Sequence, residues 1–199
     1  MLRSEIINNF IAKRGFTRYL EIGTDAGDCF RNINAPIRIS VDPNPHSTAA
    51  YVMTSDEFFK VFAHTDTEKF DIVFIDGLHE HNQVWRDIEN ALTMLNPNGV
   101  IVLHDCIPTS ERMQEYHDTP QSGYAWTGDV WKAFVKARSE LPYLAYTIPD
   151  DMGCGIIDTA QKKRKGSTSA LPADMEAMSY SDFVSHPEWM KITPASDVF

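Results

Sequence analysis

The feature that most constrains this chain is the stretch Tyr19-Leu-Glu-Ile-Gly-Thr-Asp-Ala-Gly27, followed by an apolar run from Ile37 to Val41 that ends in Asp42. A short apolar run closed by glycine reads as a strand buried on both faces, as in a parallel sheet. Glycines at 23 and 27 allow close backbone approach to a ligand. A carboxylate at the tip of the next strand is placed to take ribose hydroxyls. Strand, glycine turn, helix start and a second strand with an acidic tip are how an open α/β sheet holds an adenosine. The turn reads G-x-x-x-G rather than G-x-G-x-x-G, so the pattern that receives a dinucleotide pyrophosphate is missing.

Strand and helix signals alternate along the rest of the chain. Ile6, Ile7, Phe10 and Ile11 recur at helical spacing before Gly15, which predicts an N-terminal amphipathic helix. Tyr19–Ile22 is the first strand, Ala26–Ile33 a helix, Ile37–Val41 the second strand and Tyr51–Met53 a short third. Ser55 is an N-cap for the next helix. Phe70–Ile75 is the clearest strand, the fourth. Val84, Ile88, Ala91, Leu92 and Leu95 form one face of a long helix, which the Asn96-Pro-Asn-Gly99 turn ends. Val100–Leu103 is the fifth strand and Asp129–Leu141 a helix, with Asp129 as its cap and Trp131 in the core. Leu144–Ile148 and Gly155–Ile157 are separated by too few residues for a crossover helix, so they are expected to be antiparallel. Residues 1–158 are expected to form one domain. Residues 159–199 are expected to be a linker, through the polar stretch from Lys162 to Ser169, and a docking segment of the same domain carrying Phe183, Val184, Trp189 and Met190. Packing is the expected role of that segment; a lid or a homodimer contact is the alternative.

The chain has 199 residues, enough for one α/β core. Its formal net charge of −10 repels phosphate backbones and argues against nucleic acid as a partner. No apolar run reaches the length of a membrane span, so no membrane partner is expected. Glu5, Asn8 and Asn9 interrupt the first apolar residues, which is not a signal-peptide pattern. Three widely spaced cysteines fit a reduced, cytoplasmic chain better than a disulfide scaffold.

In a parallel sheet the functional groups gather at the carboxyl ends of the strands. Four such ends carry polar residues here: Glu21-Ile-Gly23, Asp42, Asp76-Gly-Leu-His79 and His104-Asp105. Asp76 and His79, three apart at an expected helix start, would share a face. His79 has the side-chain type that serves as a base at neutral pH without tuning, whereas His81 is expected to be solvated. Asp76 and Asp105 could hold a hard divalent cation through oxygen. For His104 three roles stay open: a third metal ligand, a support for the ligands, or a buried structural histidine. Trp126 and Tyr124 are placed to line a pocket, and residues 110–122 to cover a substrate.

These motifs resemble the class I S-adenosylmethionine-dependent methyltransferases. The likeness is closest to the small methyltransferase-24-like group, related to metal-dependent O-methyltransferases of macrolide sugars and, more distantly, of catechols. It rests on Tyr19–Gly27, Asp42, Phe74-Ile-Asp-Gly-Leu-His79, Val100-Ile-Val-Leu-His-Asp105 and Trp126-Thr-Gly-Asp-Val-Trp-Lys132, and spans roughly residues 15 to 158. It implies a Rossmann-like, doubly wound seven-stranded sheet of order 3-2-1-4-5-7-6, strand seven antiparallel, with helices on both faces. Glu21, Gly23 and Gly27 would then surround the methionine part of S-adenosylmethionine. Asp42 would bind the ribose, Ser55 and Asp56 would meet the adenine edge, and Asp76 and Asp105 would match two metal ligands. His79 would be the catalytic base of an O-methylation of a small hydroxylated molecule. Related metal enzymes carry a third oxygen ligand beside the last Asp, where this chain has His104 and Cys106; His104 would suit a softer metal than magnesium, and the alternative is an enzyme that works without one. The rival readings are a nicotinamide-dependent oxidoreductase and a non-catalytic cofactor-binding module.

Overall fold

The computed structural model describes residues 1–62, 69–115, 126–163, 171–172 and 174–199. Tyr124, residues 116–122 of the expected substrate cover and residues 164–169 of the expected linker lie outside them.

The N-terminal helix α1 (Arg3–Arg14) ends at Gly15 in the left-handed conformation and leads into β1 (Arg18–Ile22). Next come β2 (Ile37–Val41), α2 (Ser55–Phe62), β3 (Phe70–Ile75), α3 (His81–Met94) and β4 (Leu95–Leu103). A single-turn α4 (Glu111–Gln114), α5 (Val130–Glu140) and the strands β5 (Tyr143–Ile148) and β6 (Cys154–Lys162) complete the sheet region, before the short helices α6 (Tyr180–Ser185) and α7 (Ala195–Val198). No helix among the described residues is long and apolar enough to cross a membrane.

The sheet has six strands in the order β2-β1-β3-β4-β6-β5. β1 to β4 pair in parallel, and β6 runs antiparallel to both β4 and β5, as its short connection requires. The third strand expected at Tyr51–Met53 is absent, which leaves six strands instead of seven; Tyr51 makes one parallel bridge to Val41. The reason is length. Three residues later the chain enters the cap of α2, where Thr54 and Glu57 exchange hydrogen bonds and Thr54, not Ser55, is the capping residue. The Asn96–Gly99 turn falls inside β4 as a break in register against β3, with Asn98 at φ 67°.

The helix expected at Ala26–Ile33 shrinks to a three-residue 3-10 turn, Phe30–Asn32. Left-handed backbone at Asp25 (φ 43°) and Gly27 (φ 80°) prevents continuous helix, and Pro36 keeps Ala35 out of the helical region. The loop is tied down instead by Thr48, whose N–H donates to the Asp25 carbonyl at 2.9 Å.

One sheet face is covered by Ile6, Ile7, Phe10 and Ile11 of α1 with Ile33 and Ala35. The other packs on α2, α3 and α5 through residues such as Phe58, Phe59, Ile88 and Phe134. Met175, Met178, Trp189 and Met190 from the C-terminal stretch are buried in that second core. Burial of a side chain of this size stabilises by about 1.5–3 kcal/mol, which is what holds the stretch in place. Arg138 adds a polar anchor: it is 7% exposed and donates to the carbonyls of Glu188 and Trp189. Burial without a carboxylate partner pushes its pKa down to about 10.

Candidate active site

The carboxyl ends of β1, β2 and β3 are knitted together by backbone. Gly23 N–H donates to the Val41 carbonyl and Asp76 N–H to the Ile22 carbonyl, both at 2.8 Å. Gly23 adopts φ 85°, and a Cβ there would fall 2.1 Å from the Asp76 carbonyl oxygen. Only glycine lets the first turn lie against the Asp76–Gly77 peptide. Over this junction opens a cleft of about 460 Å³, whose walls include Gly23, Asp25, Asp42, Ser55, Asp56 and Asp76. Asp42 accepts backbone N–H groups of Asp25 and Asn44, one on each carboxylate oxygen, at 2.8 Å. The acid thus fixes the glycine turn while facing the cleft. Ser55 and Asp56 open α2, and both accept from the Gln83 amide, at 3.1 and 3.3 Å. The same amide nitrogen reaches the buried Asp87, whose pKa burial pushes up to about 6.

Gly27 and Glu21 do not line this cleft. A Cβ on Gly27 would meet the Thr48 hydroxyl at 2.4 Å, so this glycine makes room for the neighbouring loop. Glu21 is 1% exposed beneath the turn and accepts the Tyr19 hydroxyl. Burial pushes its pKa up to about 7.

At one end of the cleft Asp76 joins a polar cluster. Asp76 and His79 lie in a loop, not at a helix start, because α3 begins at His81. Sequence spacing therefore does not bring them together; the turn and the adjoining β4 tip do. His79 Nε2 stands 3.4 Å from Asp76 Oδ1 and 3.4 Å from Asp105 Oδ2. The His79 ring stacks on the Trp126 indole at 5.0 Å, and its Nδ1 faces the Trp126 carbonyl at 3.3 Å. A carbonyl only accepts, so Nδ1 carries the hydrogen and Nε2 is turned to the carboxylates. Burial opposes charge on His79, but Asp76 and Asp105 outweigh it and raise its pKa. Burial would likewise raise the Asp76 pKa, yet the two histidines hold it well below the usual carboxylate range. Asp105 adopts φ 57°, a strained backbone of the kind that gathers at functional sites.

His104 is 5% exposed, with Nδ1 3.3 Å from Asp76 Oδ1 and 3.1 Å from Asp105 Oδ2. Neither contact is a well-formed hydrogen bond. Its Nε2 meets Arg3 Nη1 at 3.1 Å. Burial opposes charge here too, and the carboxylates more than offset it and raise the pKa. Arginine only donates, so a hydrogen bond from Nη1 needs the neutral ring, with Nε2 accepting and the hydrogen on Nδ1, facing the acids. Asp76, His79 and Asp105 each offer one ligand atom, all within 4.8 Å of one another. Two carboxylates and an imidazole are a donor set that fits a divalent cation. His79 supplies the imidazole of this trio, and His104 Nδ1 stands against the same two carboxylates.

Residues 126–129 clamp the loop that carries His79. Gly128 adopts φ 55°, and a Cβ there would lie 1.8 Å from the His79 carbonyl oxygen. Asp129 N–H donates to that carbonyl at 3.1 Å. The Asp129 side chain does not cap α5. It accepts His81 N–H at 2.8 Å, capping α3, and pairs with His81 Nδ1 at 2.6 Å. His81 is consequently buried, not solvated, and its Nε2 lies 3.1 Å from Glu176. A smaller cavity of about 180 Å³ opens beside His79, walled by Asn82, Gln114, Trp126 and Asp129 among others. Sequence reasoning missed Gly128 and Arg3 as site residues. The glycine inside Trp126-Thr-Gly-Asp129 was a usable signal; Arg3, in an ordinary amphipathic helix, offered none.

Residues 20–106 match the family model described as "Methyltransferase domain" of methyltransferase family 24. No curated protein matches the chain. Among solved structures, the O-methyltransferase from Bacillus cereus in complex with SAH is similar at 14% identity and TM-score 0.58, over 78% of this chain and 80% of that one. The O-methyltransferase TomG from Streptomyces achromogenes, involved in tomaymycin synthesis and solved with SAM, is similar at 16% identity and TM-score 0.60, over 78% of each chain. The SAH-bound methyltransferase PaMTH1 from Podospora anserina is similar at 15% identity and TM-score 0.53, over 81% of this chain and 78% of that one. At such identities the likeness is one of fold.

Proposed function

We propose that this chain, whose residues 20–106 match a methyltransferase-domain family model, transfers the methyl group of S-adenosylmethionine to a hydroxyl of a small molecule. One observation carries the reading: Asp76 is both a wall of the nucleoside-sized cleft and a member of the Asp76–His79–Asp105 cluster. A methyl donor held in the first would present its sulfonium end to the second. The relatives solved with SAM or SAH support the choice of cofactor. The nicotinamide alternative loses support, because no helix N-terminus stands behind the glycine turn to meet a pyrophosphate.

The sulfonium is already an activated donor. As the acceptor oxygen bonds to the methyl carbon, the carbon–sulfur bond breaks and its electron pair returns to sulfur. The chain supplies alignment, which is worth much of the rate, and a destination for the hydroxyl proton. His79 Nε2 takes that proton, and Asp76 and Asp105 at 3.4 Å stabilise the imidazolium so formed. Trp126 holds the ring so that this nitrogen faces the reaction. A divalent cation, when held by the Asp76 and Asp105 carboxylates with His79 Nε2 left free, would lower the hydroxyl pKa as a Lewis acid.

Binding and turnover test the reading separately. SAH at about 100 times its Kd is expected to stabilise the protein by roughly 2.7 kcal/mol, and NAD not at all. His79→Ala is expected to keep that shift and to lose about 10²- to 10⁴-fold in methyl transfer to the best of a panel of small hydroxylated acceptors. Stabilisation by NAD without SAH, or full turnover by His79→Ala, would refute the cofactor and the base respectively.

A further inference from the structure

We propose that Arg3 acts as a resident counter-cation of the Asp76–Asp105 pair and holds down the site's affinity for a divalent metal. The proposal rests on the cluster described under the proposed function, but its test needs no turnover. Arg3 reaches the cluster from the first turn of α1. Its backbone N–H donates to Asp151 Oδ2 at 2.7 Å, and Nη1 lies 3.6 Å from Asp151 Oδ1. Asp151 sits in the β5–β6 turn, where Asp151, Met152 and Gly153 are all left-handed. That turn is bonded to the chain just beyond β4, through Cys106 N–H to the Gly153 carbonyl and Ile107 N–H to the Met152 carbonyl. The guanidinium is therefore anchored on one side by the turn and on the other by His104 Nε2, at 3.1 Å.

Two effects of such a group on a metal site oppose each other. A donor that hydrogen-bonds a ligating carboxylate orients it and raises metal affinity. A fixed positive charge nearby repels the cation and lowers affinity. Distance decides between them. Arg3 Nε is 3.8 Å from Asp76 Oδ2, beyond hydrogen-bond reach, so orientation of the carboxylate is lost and the Coulomb effect remains. The side chain is 31% exposed, so solvent screens that charge in part only.

The test is a calorimetric titration of Mn²⁺ into the full chain, with and without SAH, for the wild type, Arg3→Ala, Arg3→Gln and Arg3→Lys. Both uncharged variants are expected to bind Mn²⁺ at least tenfold more tightly than the wild type, while Arg3→Lys stays close to it. Asp76→Asn added to Arg3→Gln is expected to abolish the gain. Unaltered SAH affinity in the Arg3 variants shows that their cleft is intact, and Arg3→Gln stands in if Arg3→Ala fails to fold. Equal or weaker Mn²⁺ binding by the uncharged variants, or no Mn²⁺ binding by any variant, overturns the proposal. Absence of SAH binding by the wild type would overturn the methyltransferase reading and leave the Mn²⁺ comparison standing.

Discussion

Glu21 offers the most quantitative test of the electrostatics under the glycine turn. Its carboxyl is 1% exposed and receives the Tyr19 hydroxyl, and burial pushes its pKa from 4.5 up to about 7. Between those two values the folded protein holds a proton that the unfolded chain has lost. Stability contributed by this group therefore falls as pH rises from about 4.5 through about 7, and the loss is complete above that. A shift of about 2.5 units at 1.36 kcal/mol each amounts to about 3 kcal/mol at pH 8. Glu21→Gln keeps a carbonyl to accept the Tyr19 hydroxyl and removes the buried charge. The variant is expected to match the wild type in Tm near pH 5 and to exceed it at pH 8. For a chain of this size 3 kcal/mol corresponds to roughly 6–12 °C. Differential scanning calorimetry at the two pH values reads the difference directly. Asp87 titrates in the same window but is present in both proteins, so it cancels in the comparison. A Tm difference of equal size at pH 5 and pH 8 would refute the argument, since it would owe nothing to ionisation.

Gly128→Ala is expected to cost about 1–2 kcal/mol for its left-handed backbone and to push the His79 carbonyl aside, because the new Cβ would lie 1.8 Å from it. Turnover should fall by about 10²-fold while SAH affinity is kept, as paired kinetic and binding measurements would register; intact turnover would detach residues 126–129 from the chemistry. Asp42→Asn can accept only one of the two backbone N–H groups that Asp42 holds. SAH affinity, read by calorimetry, should weaken at least tenfold, about 1.4 kcal/mol, and an unchanged Kd would take Asp42 off the ribose.

What the sequence disclosed depended on whether the deciding interaction was local. Phe70–Ile75 reads as a strand because nothing in it competes, and the structure makes it a central one. Tyr51–Met53 has strand-forming residues but too little chain before the Thr54 cap. Ala26–Ile33 looks helical by pattern, and Gly27 was a visible warning; the left-handed Asp25 beside it was not. The strand-tip rule found Asp42, Asp76, His79, His104 and Asp105, since chain direction alone gathers them. It could not say which atoms face one another. That depends on Trp126, Asp129 and Arg3, between 47 and 101 residues away from the groups they orient. His81 and Asp129 show the limit plainly: each looked local, one solvated and one a cap for its own helix, and each instead serves the other across the site.

The left-handed backbone at Asp105 narrows what evolution or an engineer can place there. Asn and Gly occupy that region readily, so both would preserve the chain path while discharging the cluster. Glu would keep the charge, but it meets the steric penalty of a longer side chain at φ 57° and carries its carboxylate one carbon too far. Only Asp meets the backbone demand and the chemical one together. Asn is accordingly the clean probe of charge at this position, and the series Asp, Asn, Glu would separate the cost of a lost carboxylate from the cost of a displaced one.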